Sequence, residues 1–344
     1  MIRVLVVDDS PTARALVTSV IRSDPELEVI GEAGDGLEAV EKVKRLRPDL
    51  VTMDVWMPGL NGLEATEQIM IEAPTPIVIL TASVNRQGVE LSLQALQAGA
   101  LTVLEKPGGP DHPDFADQCR ILRRTVKAMA QVRVVRRWSE RRPGSRPTQT
   151  SPSRATRARA VAIAASTGGP AALQRILAAL PGDFPTPIFI VQHIARGFTD
   201  GLAAWLDSSS PMPVTVALDD LTIAPSTVYV AADDRHLGVN SHERIIVGQQ
   251  PPVAGFRPSA TFLFDSVAKA YGPGALAVVL TGMGSDGLDG LRAVRAAGGR
   301  VLAQDEESSV VFGMPAAAIN QGLADEVLSI DEIANRLIEL CTGS

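Results

Sequence analysis

At 344 residues, with 45% apolar and 21% charged residues, the chain has the composition of a folded globular protein and a length that favours two domains over one. No apolar run approaches the roughly 18 residues of a membrane helix, and Asp8-Asp9 follows Met1 too soon for a secretory leader; a cytoplasmic protein without membrane insertion is expected. The net charge of -7 argues against a broadly basic nucleic-acid binder, and two cysteines, Cys119 and Cys341, are too few for a disulfide framework or a thiolate zinc site.

Short apolar runs at 4–7, 50–53, 77–80 and 101–104, with a weaker one at Val29-Ile30, alternate with amphipathic stretches up to about residue 124. That alternation predicts five strands of a parallel sheet with helices between them. In such sheets ligands bind beyond the carboxyl ends of the strands. There the sequence places Asp8 and Asp9, then Asp54, Thr81 and Lys106-Pro107. Each has an ordinary reading alone: a helix cap at Asp9-Ser10, a strand end at Asp54, a solvated Lys106. Together, three carboxylates suit Mg²⁺, a hard cation satisfied by carboxylate oxygens, water and phosphate, while a lysine and a hydroxyl complete a phosphate cage.

This set resembles the receiver domain of two-component response regulators. The resemblance implies a (βα)5 fold with Asp54 as phosphoacceptor, Asp8 and Asp9 holding Mg²⁺ with it, Thr81 as switch hydroxyl and Lys106 as phosphate partner. It also implies a histidine kinase as phosphodonor and a cis bond at Lys106-Pro107. Val103 stands where the family usually carries an aromatic switch residue, so switching is expected to be weaker or to run through Thr81 alone.

Residues 120–159 hold thirteen Lys or Arg and one acid, Glu140, a surplus of twelve that leaves -19 on the rest of the chain. Within them 142–154 is dense in Pro, Ser and Thr without apolar periodicity, as in a flexible linker. The alternative is an arm for phosphate-bearing partners; with Trp138 as its one aromatic, a solvated hinge is favoured and no nucleic-acid partner is expected. The expected division is a first domain at 1–124, a linker at 125–158 and a second domain at 159–344.

Strand-like runs resume at 161–165, 188–191, 228–231, 277–280 and 301–303, predicting a second α/β domain with a doubly wound, mainly parallel sheet. The first run ends in Ser166-Thr167-Gly168-Gly169-Pro170 and opens into a helix, with Pro170 near its first position. Two readings compete for this turn. It could cradle a phosphate at a helix N-terminus, although its glycines lack the G-x-G-x-x-G spacing and no P-loop lysine follows; or it could expose Ser166 as a nucleophile beside oxyanion-binding amides. Among four histidines, His193 alone directly follows an apolar strand and shares the sheet edge of Ser166, making it the best candidate base. Asp286, after the run at 277–280, could orient that histidine or merely cap the helix that follows. The order Ser, His, Asp and the missing G-x-S-x-G elbow disfavour an ordinary lipase or esterase.

The segments Ala165-Ser166-Thr167-Gly168-Gly169-Pro170, Val191-Gln192-His193, Leu280-Thr281-Gly282-Met283-Gly284-Ser285-Asp286-Gly287 and Val310-Val311-Phe312-Gly313-Met314-Pro315 resemble the catalytic domain of the chemotaxis protein-glutamate methylesterases. The resemblance implies hydrolysis of glutamate methyl esters on chemoreceptor cytoplasmic domains, with methanol released, and deamidation of receptor glutamines. Ser166 would be nucleophile, His193 base and Asp286 its orienting acid. The Met283 N–H would be the oxyanion donor and Thr167 a supporting hydroxyl, with no cofactor in this domain and nothing requiring more than a monomer. Ile194 and Ala195 replace the usual Met-Pro, and Ala260 and Thr261 the usual Val-Asp. These departures keep open a same-triad hydrolase of another acyl substrate; a non-catalytic response regulator is the third reading. An acidic first domain resting over the cleft, released by phosphorylation of Asp54, is the expected regulation.

Overall fold

The structure, a computed structural model, describes residues 1–82, 86–132 and 157–342. The N-terminal half runs β1 (Ile2–Val7), α1 (Pro11–Arg22), β2 (Leu27–Ala33), α2 (Gly36–Leu46), β3 (Leu50–Asp54), α3 (Gly62–Glu72), β4 (Ile77–Thr81), α4 (Arg86–Ala98), β5 (Thr102–Glu105) and α5 (Phe115–Met129). All five strands are parallel in the order β2-β1-β3-β4-β5. Central strands covered by helices on both faces read as unbroken apolar runs, and β3 and β4 are buried at every position. Caps fix the helix starts: Ser10 accepts from the Ala13 N–H, Asp35 from Glu38, and Asn61 forms a reciprocal box with Glu64.

The C-terminal half contains β6 (Ala160–Ala165), α6 (Gly169–Ala179), β7 (Ile188–Gln192), α7 (Thr199–Ser209), β8 (Val214–Val216), β9 (Val228–Val230), β10 (His236–Val239), β11 (Ile245–Gly248), α8 (Ala260–Tyr271), β12 (Ala275–Val279), α9 (Leu288–Ala296), β13 (Arg300–Gln304), α10 (Met314–Asn320), β14 (Glu326–Leu328) and α11 (Ile330–Thr342). Seven strands form one parallel sheet, ordered β14-β13-β12-β6-β7-β9-β8, and β10 and β11 make a separate antiparallel hairpin. The expected strands are all present; β8, β14 and the hairpin are additions. The hairpin begins at His236, which is fully buried, stacks on Phe262 at 4.7 Å and hydrogen-bonds the Pro251 carbonyl at 3.2 Å.

Helix α5 continues to Met129, with Val126 and Met129 buried. The Pro/Ser-rich stretch 142–154 and Trp138 lie outside the described residues. The two halves touch at α4, which packs on α7 and α6. Contact is close enough that a Cβ on Gly201 would lie 2.3 Å from Val89 Cγ1. A second contact comes from the loop before α10, where Val310 and Val311 pack on the N-terminal apolar cluster that includes Leu80, Leu101 and Leu122.

Candidate active site and acidic pocket

Each sheet grows to both sides of its first strand, and that switch opens a crevice at the carboxyl ends of the strands. In the N-terminal sheet it falls between β1 and β3, bringing Asp8, Asp9 and Asp54 together with carboxylate oxygens all within 4.8 Å of one another. Lys106 bridges two of them, 2.8 Å from Asp8 and 2.9 Å from Asp54. Burial is the largest influence on Asp54 and lifts its carboxyl above the usual range despite Lys106. Burial works against the Lys106 charge, but the two carboxylates outweigh it and hold the ammonium above its ordinary pKa. Arg14 donates to the Asp8 carbonyl at 2.5 Å. Thr81 is buried at the end of β4, and its carbonyl accepts from the Lys106 N–H. Three hard oxygen donors in this spacing fit a divalent cation such as Mg²⁺. Val103 is buried in β5. The expectation of a cis bond at Lys106-Pro107 is corrected: the cis peptide among the described residues is Arg257–Pro258, and Lys106 reaches both carboxylates across a trans bond.

In the C-terminal sheet the switch falls between β6 and β12. Ser166 follows β6 and donates its N–H to the Thr281 carbonyl at 3.0 Å. The two chains approach so closely that a Cβ on Gly282 would lie 2.6 Å from Ser166 Cβ, which restricts that position to glycine. Gly168, at φ 78°, makes the left-handed turn into α6. The loop carrying Val311 is laced to the same place: Val311 donates to Thr281 Oγ1 at 2.9 Å and accepts from the Gly282 N–H at 3.0 Å. Thr281 Oγ1 in turn donates to the Thr167 carbonyl at 2.9 Å. The Met283 N–H makes no hydrogen bond among the described residues.

His193 follows β7, the neighbour of β6, with its N–H on the Ala165 carbonyl at 2.9 Å. Its Nε2 lies 3.1 Å from Asp286 Oδ2, close but poorly aligned for a hydrogen bond, and its Nδ1 is buried without a partner. The imidazole stacks on Phe256, 4.6 Å between centroids. Asp286 does not cap its own helix α9, whose N-cap is Gly287 and which has no side-chain cap. It sits instead at the N-terminus of α8, accepting from Ser259 Oγ at 2.9 Å and from the Ala260 and Thr261 N–H groups at 2.7 and 3.2 Å. Burial presses its carboxyl upward, but His193, the Ala260 amide and Ser259 outweigh it and hold the pKa below the usual range.

Sequence reasoning named Ser166, His193 and Asp286 but gave no role to the groups packed around them. Gln192 Nε2 donates to the carbonyls of both Ser166 and His193 at 2.8 Å, and Gln304 Oε1 accepts the Thr281 N–H at 2.8 Å. Ala260 and Thr261 hold Asp286, with Thr261 Oγ1 also accepting the Gly287 N–H. Ile194 and Ala195 pack on the apolar cluster shared by the two halves. The Ser259 cap is legible in a Ser preceding a helical apolar pattern; the Phe256 stack leaves no spacing signal.

Family comparisons agree with this division of labour. A model described as response regulator receiver domain matches residues 4–113, and one described as CheB methylesterase matches residues 161–337. A "protein-glutamate methylesterase/protein-glutamine glutaminase 4" of Myxococcus xanthus is 55% identical over 100% of this chain and 98% of its own length. A similarly named protein of Anaeromyxobacter dehalogenans is 56% identical over 98% of both chains. The solved catalytic domain of Thermotoga maritima CheB methylesterase aligns at 41% identity with a TM-score of 0.52, covering 54% of this chain and all of that one. Fold and matches together define a response regulator whose output is an enzyme. The chain belongs to the protein-glutamate methylesterase/protein-glutamine glutaminase family. No helix among the described residues is long and apolar enough to cross a membrane.

Proposed function

We propose that this protein hydrolyses γ-methyl esters of glutamates on chemoreceptor cytoplasmic domains, deamidates particular receptor glutamines, and does so in the cytoplasm under control of phosphorylation at Asp54. Ser166 Oγ attacks the ester carbonyl while His193 takes its proton. The accepting nitrogen is Nδ1, since Nε2 faces Asp286. Asp286 orients the ring and stabilises its charged form. The tetrahedral oxyanion takes the Met283 N–H, with Thr167 in support. Collapse expels methoxide, which leaves as methanol with the proton held by His193, or ammonia in the amide case. Water, deprotonated by the same ring, then attacks the acyl-enzyme and releases the glutamate carboxylate and Ser166. Hydrogen bonds that are misaligned without substrate tighten in such complexes. The observation that carries the reading is that His193 lies 3.1 Å from the Asp286 carboxylate while its backbone is bonded to Ala165, the residue before Ser166.

The control half comprises residues 1–124 with the end of α5 that continues them to Met129, a linker follows up to residue 158, and the catalytic half comprises residues 159–344. Asp8, Asp9 and Asp54 would hold Mg²⁺, which supplies neutralisation of phosphoryl charge when bound. Asp54 accepts the phosphoryl group from a histidine kinase, Lys106 pairs with it, and Thr81 responds to it. The α4 and Val310-Val311 contacts hold the control half against the catalytic half, and phosphorylation weakens them by differential affinity. The protein works as a single chain. Methanol release from methylated receptor cytoplasmic fragments tests this: it is expected in the wild type, abolished in Ser166→Ala, and raised by acetyl phosphate except in Asp54→Ala. Release that persists without Ser166 would refute the chemistry, and equal stimulation of Asp54→Ala would refute the gate.

A further inference from the structure

Three residues beyond His193 stands Arg196, 77% exposed on the loop leaving β7. It is not isolated. Asp234 lies 3.2 Å from Arg196 and 2.8 Å from Arg257, the residue next to the Phe256 ring that stacks on His193. Arg257 is half-buried and fixed further by the carbonyls of Gln249 and Gln250, at 3.3 and 3.2 Å. Asp234 is therefore already served by Arg257, whose hydrogen bond holds its carboxyl below the usual range. Arg235 adds a third guanidinium, donating to the Asp234 carbonyl at 3.5 Å. The neighbouring acid, Asp233, is spent on the Gly197 N–H and the Thr199 hydroxyl. The rim beside His193 thus carries three cations against two carboxylates on a chain whose net charge is -7.

We propose that this rim, with Arg196 as its free arm, is a recognition site for a carboxylate lying about one helical turn from the esterified glutamate, so that the enzyme selects esters in acidic helical surroundings. The inference rests on the proposed esterase activity and adds its substrate preference. On a helix, side chains four residues apart are neighbours, and a guanidinium fork matches a carboxylate in two parallel hydrogen bonds. Arg257 and Asp234 hold the rim in place; Arg196, bound at one point and mostly in water, can turn to a ligand. Each turnover also leaves a carboxylate, so a processed site becomes a recognition element for an ester on the next turn.

The test uses the full-length protein with acetyl phosphate and two methylated receptor fragments, one native and one with Ala replacing the glutamates a turn away from the ester. Arg196→Gln is expected to lower kcat/KM on the native fragment about three- to fivefold, the size of an exposed ion pair, through KM, and to change the Ala fragment much less. Arg196→Glu should reverse the preference between fragments. The wild-type preference should fade at high salt, where screening reaches about 3 Å at 1 M. Equal losses on both fragments, or a preference untouched by Arg196→Glu, would overturn the inference while leaving the esterase reading intact. No Ser166-dependent release from either fragment would overturn that reading and this inference with it.

Discussion

The crevice between β1 and β3 holds Asp8, Asp9 and Asp54 with Lys106 wedged between two of them, whereas the crevice between β6 and β12 holds a hydroxyl, an imidazole and one carboxylate fixed by amides. In the first, full charges meet at 2.8 and 2.9 Å and compensate one another in the interior. In the second, the one buried charge, Asp286, is dispersed over a helix N-terminus, and the buried polar atoms left without a well-formed hydrogen bond are the two ring nitrogens of His193 and the side-chain oxygen of Gln192. A pocket that is electrostatically complete can receive a group and hold it. A pocket with an unmatched buried nitrogen is poised to exchange a proton, since an unsatisfied polar atom is costly until a substrate supplies its partner.

The sharpest way to break that comparison is to remove one site and watch the other. Ser166→Ala is expected to lower methanol release by on the order of 10⁴-fold or more, with phosphoryl uptake at Asp54 from labelled acetyl phosphate unchanged; a parallel loss of uptake would mean that the crevices are not independent. Gly282→Ala probes the second crevice alone. Its new Cβ would meet Ser166 Cβ at 2.6 Å and Met314 Sδ at 2.7 Å, and displacement of Ser166 should lower kcat by on the order of 10²-fold, with circular dichroism unchanged.

Asp286→Ala tests whether its carboxylate is also a structural cap. Loss of the bonds to Ser259, Ala260 and Thr261 should cost about 1–2 kcal/mol, read as a lower urea midpoint of the catalytic half. Because the folded pKa lies below the ordinary 3.8, the charge-dependent part of this stability is present above that pH and lost as pH falls through the folded value. The gap between wild type and variant should therefore stay constant from neutral to about pH 4 and narrow below it. The smallest effect concerns the thiols. Burial raises Cys119 and pushes Cys341 up to about 11, so neither should react with a thiol reagent at pH 8 until the chain is denatured.

Much of the fold was legible because buried parallel strands read as apolar runs, as at 50–53 and 161–165. Strands β8 and β14, three residues each at the sheet edges, are too short to carry a period, and the β10–β11 hairpin was hidden by the polar look of a histidine that is in fact stacked and buried. At the site, strand ends pointed to Ser166 and His193 because topology alone brings them together. The second role of Asp286 was not legible: its cap partners stand 25–27 positions away, and only the fold brings α8 to it. That Lys106 lies at a strand end beside the carboxylates was legible, but the isomer of its peptide bond to Pro107 was not, since either fits the local sequence.

The stretch Val310-Val311 bears on both halves at once. Its side chains lie against the N-terminal cluster, while the backbone of Val311 is bonded to Thr281 and Gly282, the strand end against which Ser166 is set. The control half is therefore not an interchangeable cartridge. Grafting a foreign receiver onto this enzyme is expected to change the footing of the Ser166 turn, so a chimera should keep its activity only with a matched surface at these two valines.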